Sequence, residues 1–242
     1  MDSRTLLKSV VPAMLVSRIR RYEQAKRRQI LCGMETNEAI FSAVYRHRMW
    51  GGGRVDYYSG HGSHRESISR PYVTAVSTFL GSRPKLSAVD LGCGDFTVGS
   101  QLRELCDRYV ACDVVASLIE RNRTIYNDIE VDFRHLDIAH DDLPPGDVVF
   151  LREVLQHLDN NSIKSVVDRL PQYRYAVITE LVPNTAFVPN VDKAAGFDVR
   201  LKYGSGIDVT APPFSLRFAE STVLLEQDFE GAVSRVVLYT MR

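Results

Sequence analysis

From residue 88 to residue 181 the hydrophobic positions alternate between two rhythms. Short apolar runs at 88–91, 109–115, 131–136, 148–151 and 175–181 predict strands, and their near-continuous hydrophobicity predicts burial on both faces. Between the runs, apolar residues recur at helical spacing. Val98, Leu102 and Leu105 form one such set, with a helix expected to begin near Phe96. Leu118 and Ile119 follow a Ser117/Glu120 capping box, and Ile163, Val166, Val167 and Leu170 follow Asp159 and Asn160. Strand and helix in alternation imply parallel strands with crossover helices, an α/β sheet covered on both faces.

The alternation stops at about residue 182. Residues 182–220 contain Pro183, Pro189, Pro212 and Pro213 and show no long periodic pattern. Two further strands are predicted at 223–229 and 235–241, joined by the short turn E-G-A-V. So short a connection makes an antiparallel hairpin, and the last strand should run against the others. Cover for the sheet's carboxyl edge is therefore expected from residues 1–80 or from the 182–220 insertion.

Upstream of the sheet, residues 37–49 have a helical pattern and residues 50–64 read W-G-G-G-R-V-D-Y-Y-S-G-H-G-S-H. Glycines and serines among aromatic rings make a loop whose backbone can approach a ligand closely. Ser63 and Glu66 read as a capping box, with a helix continuing through Tyr72, Val76 and Phe79. Gly81 to Pro84 marks the expected boundary between an N-terminal extension with its cap loop, 1–82, and a sheet domain, 83–242. Residues 1–31 are basic, with Arg4, Lys8, Arg18, Arg20, Arg21, Lys26, Arg27 and Arg28 against Asp2 and Glu23. Pro12 suits a first helical position, and Leu15, Ile19 and Tyr22 recur at helical spacing. This helix could make weak contact with an anionic membrane surface or an acidic protein, or simply be a solvated helix packed by one face.

Composition narrows the partners. Thirty basic and thirty acidic residues cancel, so no global field recruits nucleic acid or membrane. Cys32, Cys93, Cys106 and Cys112 include no C-x-x-C pair, which argues against a zinc site or a disulfide framework and fits a reducing cytoplasm. No apolar run approaches the length of a membrane span.

The chemistry concentrates at the strand ends. V-D-L-G-C-G-D, residues 89–95, carries Asp90, Gly92, Cys93 and Gly94. In an open α/β sheet this is where a ligand sits, beside the first strand and the helix after it. A dinucleotide fingerprint wants a third glycine where this chain has Thr97, which disfavours a nicotinamide-dependent oxidoreductase. Asp113 ends the second strand about 20 residues after Gly92, where a carboxylate can take both hydroxyls of a ribose. Asp137, at the third strand's end, can accept from an adenine amine, with the Ile138 N–H beside it. Two acids at successive strand ends suit an adenosine with no second nucleotide.

The motifs V-D-L-G-C-G-D, A-C-D-V-V, H-L-D-I-A and F-L-R-E-V-L-Q-H-L resemble those of class I S-adenosylmethionine-dependent methyltransferases, over roughly residues 50–242. W-G-G-G with S-G-H-G-S, Q-H-L, N-V-D at 190–192 and A-P-P-F resemble a bacterial subgroup of small methyltransferases. The resemblance implies a Rossmann-like, seven-stranded, mostly parallel sheet with an antiparallel C-terminal hairpin. It implies S-adenosylmethionine as cofactor and S-adenosylhomocysteine as product. Asp90, Gly92, Cys93 and Gly94 would lie near the methionine end, Asp113 and Val114 at the ribose, and Asp137 and Ile138 at the adenine. Leu151 and Arg152 would form the floor beneath the sulfonium. Loop chemistry adds Ser59, Gly60, Gly62 and Ser63 as a cover over the amino-acid tail.

Methyl transfer needs alignment and, for a hydroxyl acceptor, a base. His157 follows the fourth strand and has a pKa class suited to neutral pH, with Glu153 and Tyr58 as further candidates. Asp192 and Asp208 lie in the insertion without recognisable metal-ligand spacing, so no metal is expected. A-P-P-F is misplaced for an amino-methylating nucleic-acid enzyme and lacks its polar first residue. It reads instead as part of a cap shaping a small-molecule or glycan pocket. The expected activity is O-methylation of a small molecule or sugar; a catalytically silent S-adenosylmethionine-binding partner protein is the alternative.

Overall fold

The computed structural model describes residues 13–53 and 55–241. The chain divides into two compact units, with the boundary between Thr36 and Asn37. In the first, α1 (Ala13–Leu31) carries Arg18, Arg21, Lys26, Arg27 and Arg28, with Ile19 and Tyr22 exposed. Arg4, Lys8 and Pro12 lie outside the described residues, as do the side chains of Leu15 and Arg20.

The second unit contains all the remaining elements. Helix α2 (Asn37–Arg46) leads into the glycine-rich loop, a single helical turn α3 (His61–His64) and the long helix α4 (Glu66–Gly81). Then follow β1 (Ala88–Leu91), β2 (Tyr109–Asp113), α5 (Ala116–Ile125), β3 (Asp132–His135), β4 (Val148–Arg152), α6 (Asn160–Arg169), β5 (Tyr175–Pro183), β6 (Glu220–Phe229) and β7 (Ala232–Thr240). The strands form one seven-stranded sheet in the order β3-β2-β1-β4-β5-β7-β6. β1 to β5 are parallel, while β7 runs antiparallel between β5 and β6. The β6–β7 turn is Glu230-Gly231, both at positive φ (53° and 86°), the geometry whose twist suits a two-residue hairpin.

β1, β2 and β4 are buried because helices cover both faces of the sheet. Tyr72, Val76 and Phe79 of α4 join Val148, Phe150 and Val177 in one core cluster. That packing places residues 37–82 in the same compact unit as the sheet, whereas the sequence pattern grouped them with the basic N-terminus. Chain order reverses between β1 and β4, the switch point where α/β sheets open a crevice.

Several expected helix starts differ. No α-helix follows β1; the segment forms two short 3-10 turns, Gly99–Gln101 and Arg103–Leu105. Phe96 sits at φ 62° and sends its ring among Tyr109, Tyr126 and Phe133, 5.0–5.5 Å away between centroids, so the chain cannot run straight into a helix. The Thr97 N–H is taken by Asp95 Oδ1 rather than left for an anion. Neither Ser63/Glu66 nor Ser117/Glu120 forms a capping box: α4 starts after Arg65 and α5 after Val115, both without a side-chain cap. Asp159 does cap α6, accepting from the Asn161 and Ser162 N–H groups.

Candidate active site

A cavity of about 330 Å³ opens beyond the carboxyl ends of β1 to β4. Of the residues singled out from the sequence, Ser59, Gly60, Gly62, Ser63, Asp90, Gly92, Cys93, Gly94, Asp113, Val114, Asp137, Ile138, Arg152, Glu153 and His157 line it. Leu151 does not. Strand neighbours point to opposite faces, and Leu151 is buried in the sheet while Phe150 and Arg152 face the cavity.

The G-C-G turn holds Gly92 at φ 80° and Gly94 at φ 57°, backbone conformations that L side chains rarely adopt. A Cβ at Gly92 would meet the Val154 side chain at 2.5 Å, and one at Gly94 would meet Ser59 Oγ at 2.6 Å. The close approach that these glycines permit is thus to the protein's own loops. Cys93 is a half-buried thiol whose pKa is pushed well up, by desolvation first and then by Asp113 and Asp90.

Asp95, the last residue of the motif, anchors the glycine-rich loop. Its carboxylate pairs with His64 Nε2 and accepts the Ser59 N–H, while its own N–H donates to Ser59 Oγ at 2.9 Å. Tyr45 of α2 lies 3.0 Å from the same hydroxyl, and Tyr58 stacks on His64 rather than lining the cavity. The Ser63 hydroxyl, expected at a helix cap, accepts from Arg152 Nη1 (3.1 Å), and the Gly62 carbonyl accepts from Arg152 Nη2 (2.6 Å).

Asp113 accepts the Val115 N–H on Oδ1 (3.0 Å) and the Gly94 N–H on Oδ2 (3.1 Å), with the Val114 N–H as a further donor. Burial raises its pKa to about 6 against those bonds. Asp90 rises to about 7 through burial, although Tyr109 donates to it at 3.1 Å and Arg152 draws it down. Asp137 is already well supplied, with Asn37 Nδ2, the Ala139 N–H and His140 Nδ1 around its carboxylate at 2.9–3.1 Å. An adenine amine there would share the carboxylate with Asn37.

His157 differs from expectation. Its Nδ1 donates to the Gly196 carbonyl (3.2 Å), its ring lies 4.9 Å from Trp50, and Lys193 Nζ bonds its backbone oxygen. Burial first, and then the Lys193 charge, push its pKa down to about 3, so it is neutral at pH 7 and a weak base. Glu153 stands at φ 58° with its carboxylate against Gly62, and the Arg152 guanidinium is 3.5 Å from Oε1. Such a backbone conformation in a non-glycine residue persists where surrounding contacts over-determine it, often at functional sites.

The insertion supplies Phe197 and Val199 to the wall, with the Trp50 indole N–H on the Phe197 carbonyl (3.3 Å). A-P-P-F does not line the cavity; its Phe214 is buried elsewhere. N-V-D holds the fold: Asn190 Nδ2 donates to the Asp208 and Pro212 carbonyls, and Asp192 accepts the Asn160 N–H. Among the described residues no three His, Cys, Asp or Glu side chains are grouped to hold a metal, and no helix is long and apolar enough to cross a membrane.

Sequence reasoning missed Asn37, Phe41, Tyr45, Asp95, Gln156 and Phe197 as wall or support. Asp95 and Gln156 lay inside motifs already singled out, whereas Asn37 and Phe197 carry no local signal.

This architecture is the Rossmann-like methyltransferase fold, and residues 89–170 match the family model described as a methyltransferase domain. Three crystal structures illustrate the likeness. The N-methyltransferase NodS from Bradyrhizobium japonicum WM9 in complex with S-adenosyl-L-homocysteine superposes with TM-score 0.57 at 14% identity, covering 82% of this chain and 99% of that one. Human N-acetylserotonin methyltransferase with S-adenosylmethionine gives 0.56 at 15%, covering 87% and 61%. Magnesium protoporphyrin IX methyltransferase from Synechocystis PCC 6803 with S-adenosylhomocysteine gives 0.53 at 14%, covering 90% and 100%. At these identities the likeness is one of fold. Among curated proteins, none matches the chain in sequence.

Proposed function

We propose that the protein is an S-adenosylmethionine-dependent methyltransferase that methylates a hydroxyl of a small molecule or sugar. The observation that carries this reading is Asp113. Main-chain N–H groups hold both of its oxygens, which fixes the carboxylate at the cavity wall with acceptor capacity left for the ribose hydroxyls. Asp137 with Asn37 would take the adenine, and Arg152 with the 59–63 loop would hold the amino-acid tail. The residues suit a sulfonium: Asp90, Asp95, Asp113, Asp137 and Glu153 line the cavity against one arginine.

When bound, S-adenosylmethionine supplies a methyl group whose carbon–sulfur bond breaks with its electron pair left on sulfur. Glu153, in place of His157, would take the proton of the acceptor hydroxyl, balancing the transfer of the methyl group to its oxygen. His157, neutral and packed on Trp50, is a wall of the acceptor space. The structural relatives are named for nitrogen-bearing and porphyrin substrates as well, so the hydroxyl preference rests on this chain's own residues.

Isothermal titration tests the reading. S-adenosylhomocysteine should bind and NAD should not, and Asp113→Ala should weaken the former by about 10- to 100-fold, the worth of one or two hydrogen bonds to a charged group. Binding of NAD alone, or an unchanged Kd in the variant, sinks it.

A further inference from the structure

Four buried side-chain atoms without a hydrogen-bond partner among the described residues gather at the end of β4 and beside it: Arg152 Nε, Glu153 Oε1, Gln156 Oε1 and Thr179 Oγ1. Unsatisfied buried polar atoms are infrequent, and each calls for a physical reason. Two of them are oxygens on neighbouring cavity residues, Glu153 and Gln156.

Gln156 is held so that its side-chain oxygen alone is left over. Its N–H donates to Glu180 Oε2 (3.0 Å), its carbonyl accepts from Arg200 Nη1 (3.3 Å), and its Nε2 points to the Glu153 carbonyl (3.5 Å). Reversing the amide would set oxygen against oxygen, so the orientation with Oε1 unpaired is the consistent one. Leaving such an oxygen unpaired costs about 1–3 kcal/mol unless a bound molecule supplies a donor. Close by, the wall is aromatic: Trp50 packs 4.9 Å from His157 and 6.2 Å from Phe41, and Phe197 lines the same cavity.

We infer that Gln156 is the specificity-determining residue for the methyl acceptor, its Oε1 receiving the O–H of a hydroxyl carried on a ring whose face packs against Trp50. The inference rests on the methyltransferase reading and deepens it. Glu153 Oε1, which accepts no hydrogen bond among the described residues and has the Arg152 guanidinium 3.5 Å away, lies at the same end of β4. The pair therefore selects a group that donates a hydrogen bond and then gives up its proton. A site built to pair with a hydroxyl discriminates strongly against the analogue lacking it, because its own oxygen is then stranded. A phenolic ring and a sugar ring both offer this chemistry.

The test titrates catechol and methyl α-D-glucopyranoside separately into the S-adenosylhomocysteine complex, with 1,2-difluorobenzene and aniline as controls, and follows methyl transfer from labelled S-adenosylmethionine to each. At least one ring hydroxyl should bind and be methylated, the catechol arm indicating a phenolic source and the glucoside arm a sugar. The difluoro ring, which has no donor, should bind at least about tenfold more weakly than catechol where catechol binds. Gln156→Leu should weaken binding of the hydroxyl probe and its kcat/KM by about 10- to 100-fold. Its S-adenosylhomocysteine Kd should stay within about twofold, because the backbone clamp on Gln156 does not involve the side chain. Preference for aniline, equal binding of the donor-free ring, unchanged hydroxyl affinity in the variant, or no hydroxyl bound by the complex overturns the inference. Failure of the wild-type protein to bind S-adenosylhomocysteine overturns the methyltransferase reading itself.

Discussion

Among the described residues Arg200 is the largest fully buried side chain, 1% exposed, and it ties the insertion to the loop after β4. Its guanidinium donates to the carbonyls of Val191 (3.0 Å), Leu155 (3.4 Å), Gln156 (3.3 Å) and Leu158 (3.0 Å), and to Asn160 Oδ1 (2.7 Å). From the other side Glu180, its pKa raised to about 8 chiefly by burial, accepts the N–H groups of Leu155 and Gln156 at 3.0 Å. The 3-10 turn Leu155–His157 is thus gripped by its N–H groups and by its carbonyls. Arg200→Met keeps the unbranched stem of the side chain and removes every donor. Three of the five bonds are 3.0 Å or shorter, and stranding their acceptors should destabilise the fold by about 3–5 kcal/mol, as for other broken buried charge networks. For a chain of this size that corresponds to a fall in Tm of about 6–20 °C, read by calorimetry or circular dichroism. Arg200→Lys should recover less than half of the loss, since one ammonium cannot reach acceptors spread around a planar fork. A fall of under about 3 °C for the methionine variant would refute the argument, because the carbonyls would then be finding other partners at little cost.

Two further outcomes follow from the site. Gly62→Ala, at a glycine with ordinary φ, places a Cβ against the Glu153 carboxylate and should displace it. If Glu153 takes the proton, kcat at saturating S-adenosylmethionine should fall by about 10²-fold; an unaltered kcat would remove Glu153 from the chemistry. The second concerns pH. Asp113, with its pKa at about 6, must be ionised to accept both hydroxyls. S-adenosylhomocysteine affinity should therefore be complete above that pH and fall as pH drops through it, by up to about tenfold per unit for one proton. Asp113→Asn should bind weakly with a flattened profile by titration calorimetry. Wild-type affinity that rises on acidification would contradict the assignment.

Hydrophobic periodicity alone determined the alternation of strands and helices, the antiparallel hairpin and the place of the crevice. Those features arise from burial on two faces, and burial is written locally in runs such as Val148-Val149-Phe150-Leu151. Asp113 and Asp137 could be placed at strand ends for the same reason, since the end of a buried run is visible in one dimension. Tertiary structure decided which neighbours each group meets. It turned the 96–105 segment into 3-10 turns because the Phe96 ring is drawn into an aromatic cluster, and it sent Leu151 away from the cavity through the strand's alternation. It set the Gly92 and Gly94 backbones against Val154 and Ser59, and it made His157 a weak base by surrounding it with Trp50, Lys193 and Arg200. Arg200, whose charge acts on His157, and Asn37, which donates to Asp137, lie far away in the chain, so no local pattern around His157 or Asp137 could announce them.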